Sequence, residues 1–189
     1  MSGARRLSQA ISEGDGISVL VEVGDEQGAR AAELQGAEGI AARDAAATVG
    51  AASGLPLLWL GALDLAGAVD AVVLEAELGD RLQGEVEAAH ELGLECVLRV
   101  RDERELEDVL ERVDPEILLL SAEGADDGQG HLDRLLELLP DVPAGKLAIA
   151  ELASASREEV LELERAGVDA VLVPAGDVGA LVGDVLRDV

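Results

Sequence analysis

The sequence predicts an α/β fold, a single trimmed (β/α)8 TIM barrel formed by residues 1–189. Short apolar runs alternate with helical segments eight times along the chain. The runs are continuously apolar, which is typical of parallel strands covered on both faces. Eight such units favour a closed barrel, and because these barrels usually have roughly 250 residues, the connections here must be short. The alternative is an open doubly wound sheet, but no Gly-x-Gly-x-x-Gly opens the first helix.

A short polar segment, residues 1–16, precedes the eight units, which then follow in order. The predicted strands cover residues 18–23, 38–42, 55–60, 69–74, 94–100, 117–120, 147–150 and 168–173. The predicted helical segments cover residues 25–36, 45–52, 62–68, 80–92, 102–113, 131–139, 156–166 and 178–187. Gly93 is a C-cap signal. Asp102 and Ser156 are N-cap signals, each followed three residues later by a glutamate.

The composition restricts the partners that this protein can bind. Apolar residues make up 49% of the chain and the net charge is −26, which disfavours both nucleic acid and anionic membranes as partners. We find no signal peptide and no apolar run of transmembrane length, so the expected location is cytoplasmic. Lys146 is the only lysine. High-salt adaptation and a GC-rich genome both explain this composition, and the sequence leaves the choice open.

Side chains at the C-terminal ends of the strands carry the chemistry of such barrels. Glu22 and Glu151 end the first and seventh strands, and Arg99 lies near the end of the fifth. Because buried carboxylates need a partner, we interpret these three as an ion-paired group in the barrel mouth. The single cysteine, Cys96, is expected to be a buried, inert thiol.

Further charged residues and two histidines are candidates for a metal site or for catalysis at the barrel mouth. Glu75 and Glu77, with Asp25 and Glu123, could line an acidic mouth that holds a divalent cation, but 40 acidic residues make chance clusters common, and we predict no metal site and no cofactor. His90 and His131 fall in helices rather than at strand ends, so neither is expected to be catalytic. Arg43 and Asp44 are expected to form a solvated loop pair.

Six stretches share the order and spacing of one family's motifs: Leu55–Leu58, Val69–Leu74, Leu92–Leu98, Asp102–Leu106, Ala150–Glu151 and Ala166–Val173. On these residues the chain resembles the indole-3-glycerol phosphate synthase family from about Val19 to Val173. The resemblance implies a TIM-barrel lyase of tryptophan biosynthesis with a phosphorylated substrate. It carries Glu22 and Glu151 over as catalytic candidates.

Several of the family's motif residues are replaced in this chain. Gly24 and Leu60 stand where the family has lysines, and Arg99 stands where its fifth strand has a glutamate. Ser121-Ala122 matches the family's Asn-Asn, and Pro174-Ala175 matches its last phosphate-binding turn. The family's N-terminal extension, which helps to cover the substrate, is absent or reduced to residues 1–15.

Three residues remain candidates for binding a substrate: Ser121, Trp59 and Gly176. Trp59 is expected either to plug the family's pocket or to offer a planar ligand a stacking surface. Gly176 and Gly179 could form a shifted phosphate nest, although Asp177 between them would repel the anion.

Three functional hypotheses follow. The first is a barrel similar to indole-3-glycerol phosphate synthase that cannot run that reaction. The second is an active lyase or isomerase that acts on a sugar-phosphate-like substrate at a rebuilt site. The third is a non-enzymatic binding or subunit protein. A small phosphorylated or anionic molecule is the expected partner, and the oligomeric state is left open.

Overall fold

The computed structural model describes residues 5–14, 16–122, 128–176 and 178–182. These residues form a closed barrel of eight parallel strands in sequence order, so the predicted fold is confirmed. The strands are β1 (Ser18–Glu22), β2 (Gly39–Ala42), β3 (Leu57–Trp59), β4 (Ala71–Glu75), β5 (Glu95–Val100), β6 (Ile117–Leu120), β7 (Leu147–Glu151) and β8 (Ala170–Pro174). The barrel closes where β1 pairs with β8, with Glu22 opposite Pro174.

Helices surround the barrel and also close one end of it. They are α1 (Arg6–Glu13), α2 (Glu26–Leu34), α3 (Ala46–Ala52), α4 (Leu82–Glu91), α5 (Glu103–Arg112), α6 (Gly128–Leu138), α7 (Arg157–Ala166) and α8 (Val178–Val182). Only a 3-10 turn, Leu63–Leu65, connects β3 to β4. A second 3-10 segment, Ala76–Arg81, precedes α4 and covers the first two residues of the predicted fourth helix; it is kinked at Gly79, which has a φ of 54°.

The buried side chains form two apolar layers because successive strand residues point to opposite faces. The inner layer fills the barrel with residues such as Leu20, Leu58, Val97 and Leu119. The outer layer lies between the strands and the helices. With no phenylalanine or tyrosine in the chain, both layers are built almost wholly from leucine, valine, isoleucine and alanine.

Helix α1 closes the N-terminal end of the barrel. Leu7 and Ile11, one helical turn apart, are buried in the inner apolar layer. The Glu95 carboxylate, at the start of β5, accepts hydrogen bonds from the backbone N–H groups of Leu7 (2.7 Å) and Ser8 (3.1 Å). Arg6 pairs with Asp70, just before β4, at 3.0 Å. The prediction of a polar segment here misses this helix, although the i, i+4 spacing of its two large apolar residues is a helix signal.

In the part of the chain that the structure describes, no helix combines the length and the apolar character that a membrane span needs.

Candidate functional site

Arg99 lies at the centre of the barrel mouth. It follows the inward-facing Val97 by two residues on β5, so its side chain also points inward, and only 6% of it is exposed. Its Nη1 donates to Glu75 Oε1 at 2.8 Å, on the neighbouring strand β4, where the two residues are register partners. Its Nη2 donates to Glu151 Oε1 at 3.0 Å, at the end of β7. The structure therefore brings Arg99 and Glu151 together across β6.

Glu22 reaches this group through Arg43 rather than through Arg99. Arg43 Nε donates to Glu22 Oε1 at 2.7 Å, and Arg43 Nη2 lies 3.9 Å from Glu151 Oε1. The sequence placed Arg43 in a solvated loop, and its side chain is indeed half exposed. It nevertheless falls two residues after the inward-facing Ala41, and this alternation is the signal that could have placed it in the mouth.

Arg101 extends the group on the other side. Its Nη2 pairs with Glu75 Oε2 at 2.7 Å, and its Nη1 pairs with Glu77 Oε1 at 3.0 Å. It also approaches Glu105 Oε1 at 3.4 Å. We define the mouth network as six side chains that alternate in charge: Glu22, Arg43, Glu151, Arg99, Glu75 and Arg101.

Three of the four acidic side chains considered as ligands for a cation already have partners in this chain. Glu75 and Glu77 pair with Arg101, while Asp25 caps α2 by accepting from the Gly28 N–H at 2.8 Å. Glu123, the fourth member of that group, lies outside the described residues. Among the residues with described positions, no cluster of three histidine, cysteine or acidic side chains is arranged to hold a metal ion.

The mouth network balances three cations against three anions, yet two of its atoms are unsatisfied. Arg99 Nε and Glu151 Oε2 are buried without a hydrogen-bond partner in the described structure. One is a donor and the other an acceptor. Buried unpaired groups of this kind are uncommon and are often associated with function or with a bound water molecule. Glu151 Oε2 is therefore a buried carboxylate oxygen of the mouth network that no described side chain engages.

Two further polar side chains lie at the same end of the barrel. Ser121 directly follows β6 and is buried, and its backbone N–H donates to the Val100 carbonyl at 2.9 Å. His131, in the first turn of α6, has its Nε2 atom 2.8 Å from the backbone oxygen of Glu151. Since a carbonyl can only accept, Nε2 must carry the proton. No sequence signal predicts His131 at this place, because it lies 20 residues from Glu151 and inside a helix.

Trp59 does not lie in the mouth, which corrects the prediction that it plugs the pocket or stacks on a planar ligand. Leu58 and Leu60 belong to the inner layer, so Trp59 between them points outward and is buried in the outer layer. Its indole Nε1 donates to the Ala62 carbonyl at 2.9 Å, and its ring covers Gly61. The wrong assignment came from the resemblance to a mouth motif, whereas the two-residue alternation of the strand decides the direction.

Gly176 is exposed after β8, and Gly179 lies in α8. The expected nest between them stays a prediction, because it spans Asp177, which lies outside the described residues. The Val178 N–H donates to Gln35 Oε1 at 2.8 Å. At least one backbone donor of this segment is therefore already engaged by a side chain.

Known proteins similar to this chain are indole-3-glycerol phosphate synthases. That of Variovorax paradoxus is 36% identical over 106 residues, which cover 55% of this chain and 40% of the relative. That of Campylobacter hominis is 32% identical over 88 residues (47% and 33%), and that of a Geobacillus species is 28% identical over 127 residues (64% and 49%). The chain thus matches half or less of the length of each relative. No family model matches the chain.

A solved structure supports the fold assignment. The N-acetylmannosamine-6-phosphate 2-epimerase of Clostridium perfringens superposes with a TM-score of 0.69 at 14% identity, covering 86% of this chain and 88% of the epimerase. At this identity the likeness shows the barrel fold alone. The sequence matches agree with the resemblance read from the motifs: over about half of its length the chain is similar to indole-3-glycerol phosphate synthases.

Proposed function

We propose that this chain does not catalyse indole-3-glycerol phosphate synthesis and that its barrel mouth serves as a structural ion-pair network. The observation that carries the proposal is Arg99. It stands where the family has a glutamate, it is almost fully buried, and both of its terminal nitrogens are hydrogen bonded to carboxylates. The centre of the mouth is thus filled by a side chain that is itself held in place.

The reaction chemistry supports the same conclusion. Ring closure with loss of water needs an acid to protonate the departing oxygen and a base to accept the final proton. The family's two lysine positions hold Gly24 and Leu60, which offer no titratable group. Arg99 is effectively always protonated, so it is a poor base. Glu22 retains its family position, but Arg43 holds one of its oxygens.

An assay for indole-3-glycerol phosphate formation tests the proposal. We expect no turnover from the purified chain under conditions in which the Geobacillus relative is active. Turnover on the order of 1 per second, within the usual enzyme range, would overturn it. We also expect Arg99→Glu alone to restore no activity, since the two lysine positions remain unfilled and a third carboxylate would face Glu75 and Glu151 without its cation.

A second candidate function is proton transfer on a small sugar phosphate. Glu151 Oε2 has no partner in the described structure, and the protonated Nε2 of His131 lies at the backbone of the same residue. A carboxylate oxygen so placed can act as a general base toward a carbon acid. The epimerase of similar fold acts on a sugar phosphate by its name, which makes this substrate class the natural one to test.

Solvent deuterium exchange distinguishes the two candidates. A panel of sugar phosphates is incubated with the protein in D₂O, and loss of carbon-bound proton signals is followed by NMR. The structural interpretation predicts no exchange above background. Exchange that disappears in Glu151→Gln would establish the catalytic candidate instead, whereas exchange that persists in Glu151→Gln would point to a contaminating enzyme.

A further inference from the structure

A cavity of about 470 Å³ lies on the outer wall of the barrel, between α4 and α5. Its apolar lining includes Val86 of α4 and Cys96 and Leu98 of β5. Cys96 and Leu98 belong to the outer apolar layer, whereas Arg99 points inward, so the barrel wall separates this cavity from the mouth network. A volume of this size is within the range of small-molecule sites, roughly 300–1,000 Å³.

The floor of the cavity is apolar in character. Burial raises the pKa of the Cys96 thiol to about 11, so the sulfur is protonated at neutral pH and behaves as a small apolar group. The Sγ atom lies 3.9 Å from the Val86 carbonyl oxygen. The chain has no phenylalanine or tyrosine, and its one tryptophan is at the end of β3, so no large aromatic ring fills the gap between these helices.

Two arginines at the edge of the cavity have unused hydrogen-bond donors. A guanidinium carries five N–H donors. In the described structure the side chain of Arg5 donates once, to Glu116 at 2.7 Å, and that of Arg112 donates once, to Asp80 at 2.8 Å. Both arginines line the cavity and are partly exposed, so the remaining donors can reach a ligand.

The acidic residues of the same edge already have partners. Glu87 accepts from Gln83 at 3.1 Å, Glu116 accepts from Arg5, and Asp114 pairs with Lys146. The Glu95 carboxylate caps α1. Each carboxylate thus has a cation or donor of this chain beside it, and the spare polar capacity of the edge lies chiefly with the guanidinium donors.

We propose that this cavity is a binding site for a small amphiphilic anion, with its apolar body against Val86, Cys96 and Leu98 and its carboxylate at Arg5 and Arg112. Apolar contact supplies affinity, and charge-assisted hydrogen bonds to the guanidinium groups fix the orientation. The inference is independent of the function proposed for the barrel mouth, since no side chain of the mouth network takes part.

Octanoate is the probe for this site. In an NMR titration of the full chain, we expect the backbone amide signals of residues 93–98 to shift with saturation, whereas signals at the mouth residues 121 and 151 stay unchanged. Because Cys96 is the only thiol, its rate of modification by methyl methanethiosulfonate, followed by intact mass, gives a second local measurement. Octanoate should slow that reaction.

Charge and shape are tested separately. Arg112→Gln and Arg5→Gln should each weaken octanoate binding by roughly five- to tenfold. Arg30→Gln, which removes an exposed arginine paired only within α2 in the described structure, should leave it unchanged. Val86→Phe should place an aromatic ring against the apolar lining and weaken binding, with a thermal melt confirming that the variant is folded.

Two results would overturn the proposal. The absence of saturable amide shifts at millimolar octanoate would mean that the cavity is only a gap between helices. Equal binding of octanoate, octanol and octylammonium would mean that the arginines select no anion.

Discussion

Replacing Arg99 with methionine removes the cation at the centre of the mouth network while keeping most of the side-chain volume. The two carboxylates that it holds are affected differently. Glu75 keeps Arg101 at 2.7 Å, so it remains paired. Glu151, whose side chain is only 18% exposed, keeps only Arg43 at 3.9 Å among its ion-pair partners in the described structure. The cost of the substitution is therefore set mainly by Glu151.

The size of this cost follows from the burial of the orphaned charge. Removing one partner of a buried ion pair usually destabilises a protein by about 3–5 kcal/mol. Arg43 and partial solvent access to the mouth reduce that figure here, so we expect the free energy of unfolding to fall by about 2–3 kcal/mol. In a domain of this size each kcal/mol corresponds to roughly 2–4 °C, which gives a drop in melting temperature of about 4–12 °C.

Urea denaturation and calorimetry of a small set of variants measure this. The double variant Arg99→Met, Glu151→Met removes both charges and should recover most of the loss, because apolar replacement of a whole buried pair is often nearly neutral. Arg30→Met is the matched control. It breaks an exposed i, i+4 pair with Glu26 and should change the stability by less than about 0.5 kcal/mol.

An uncompensated charge on Glu151 is ruled out as the cause if Arg99→Met lowers the free energy of unfolding no more than Arg30→Met does. It is also ruled out if the double variant is as unstable as the single one, because the loss would then come from packing around the arginine stem and not from the uncompensated carboxylate.

Four further measurements test other parts of the structure. Leu7→Ala should cost about 2–4 kcal/mol in urea denaturation because it empties the inner apolar layer at the barrel's N-terminal end, whereas Leu34→Ala, at an exposed position, should cost little. Burial raises the pKa of the Cys96 thiol from 9.0 to about 11, so the proton is held more tightly in the folded state. The stability that this gives is present below pH 9 and is lost as the pH rises to 11. The melting temperature of Cys96→Ala should therefore fall less across this pH range than that of the wild type. The melting temperature should rise between 10 and 200 mM NaCl, because salt screens the repulsion of a net charge of −26. A melting temperature that does not change over this range would show that the acidic composition is not an adaptation to high salt. The fluorescence emission of Trp59 should be blue-shifted and poorly quenched by iodide, because the ring is buried. Gly61→Ala would place a Cβ 2.7 Å from the indole ring and should move the emission to longer wavelength. Strong iodide quenching in the wild type would contradict the outward, buried placement of the ring.

The barrel could be predicted from the sequence because its signal is repeated. Eight apolar runs separated by helix signals allow few architectures, and local caps such as Ser156 with Glu159 lie where the pattern places them. The predicted boundary of a helix was wrong where the backbone conformation changes at a single residue. A 3-10 segment kinked at Gly79 takes up the first two residues of the predicted fourth helix, and the periodicity of the sequence does not report such a change.

The mouth could be predicted only in part. Charged residues at strand ends identified Arg99 and Glu151, since a charge at the end of an apolar strand must find a partner. Arg43 and Arg101 were missed as members because they follow their strands in loops, where the residue type alone does not distinguish a solvated charge from a paired one. His131 could not be found at all, because its approach to Glu151 depends on where α6 packs against the barrel, which the pattern of residues along the chain does not give.

The attachment of α1 has a consequence for the order of folding. Side chains and backbone groups of Arg5, Arg6 and Leu7 pair with Glu116, Asp70 and Glu95, which lie 111, 64 and 88 residues further along the chain. During synthesis α1 must therefore wait until β4, β5 and the start of β6 have emerged before these partners exist. Contacts of such long sequence separation form late and slow folding, because the intervening loop must be closed first. Until then, Leu7 and Ile11 remain in water and the lower ends of the strands remain uncovered, which makes this the interval in which the nascent chain is most exposed to aggregation.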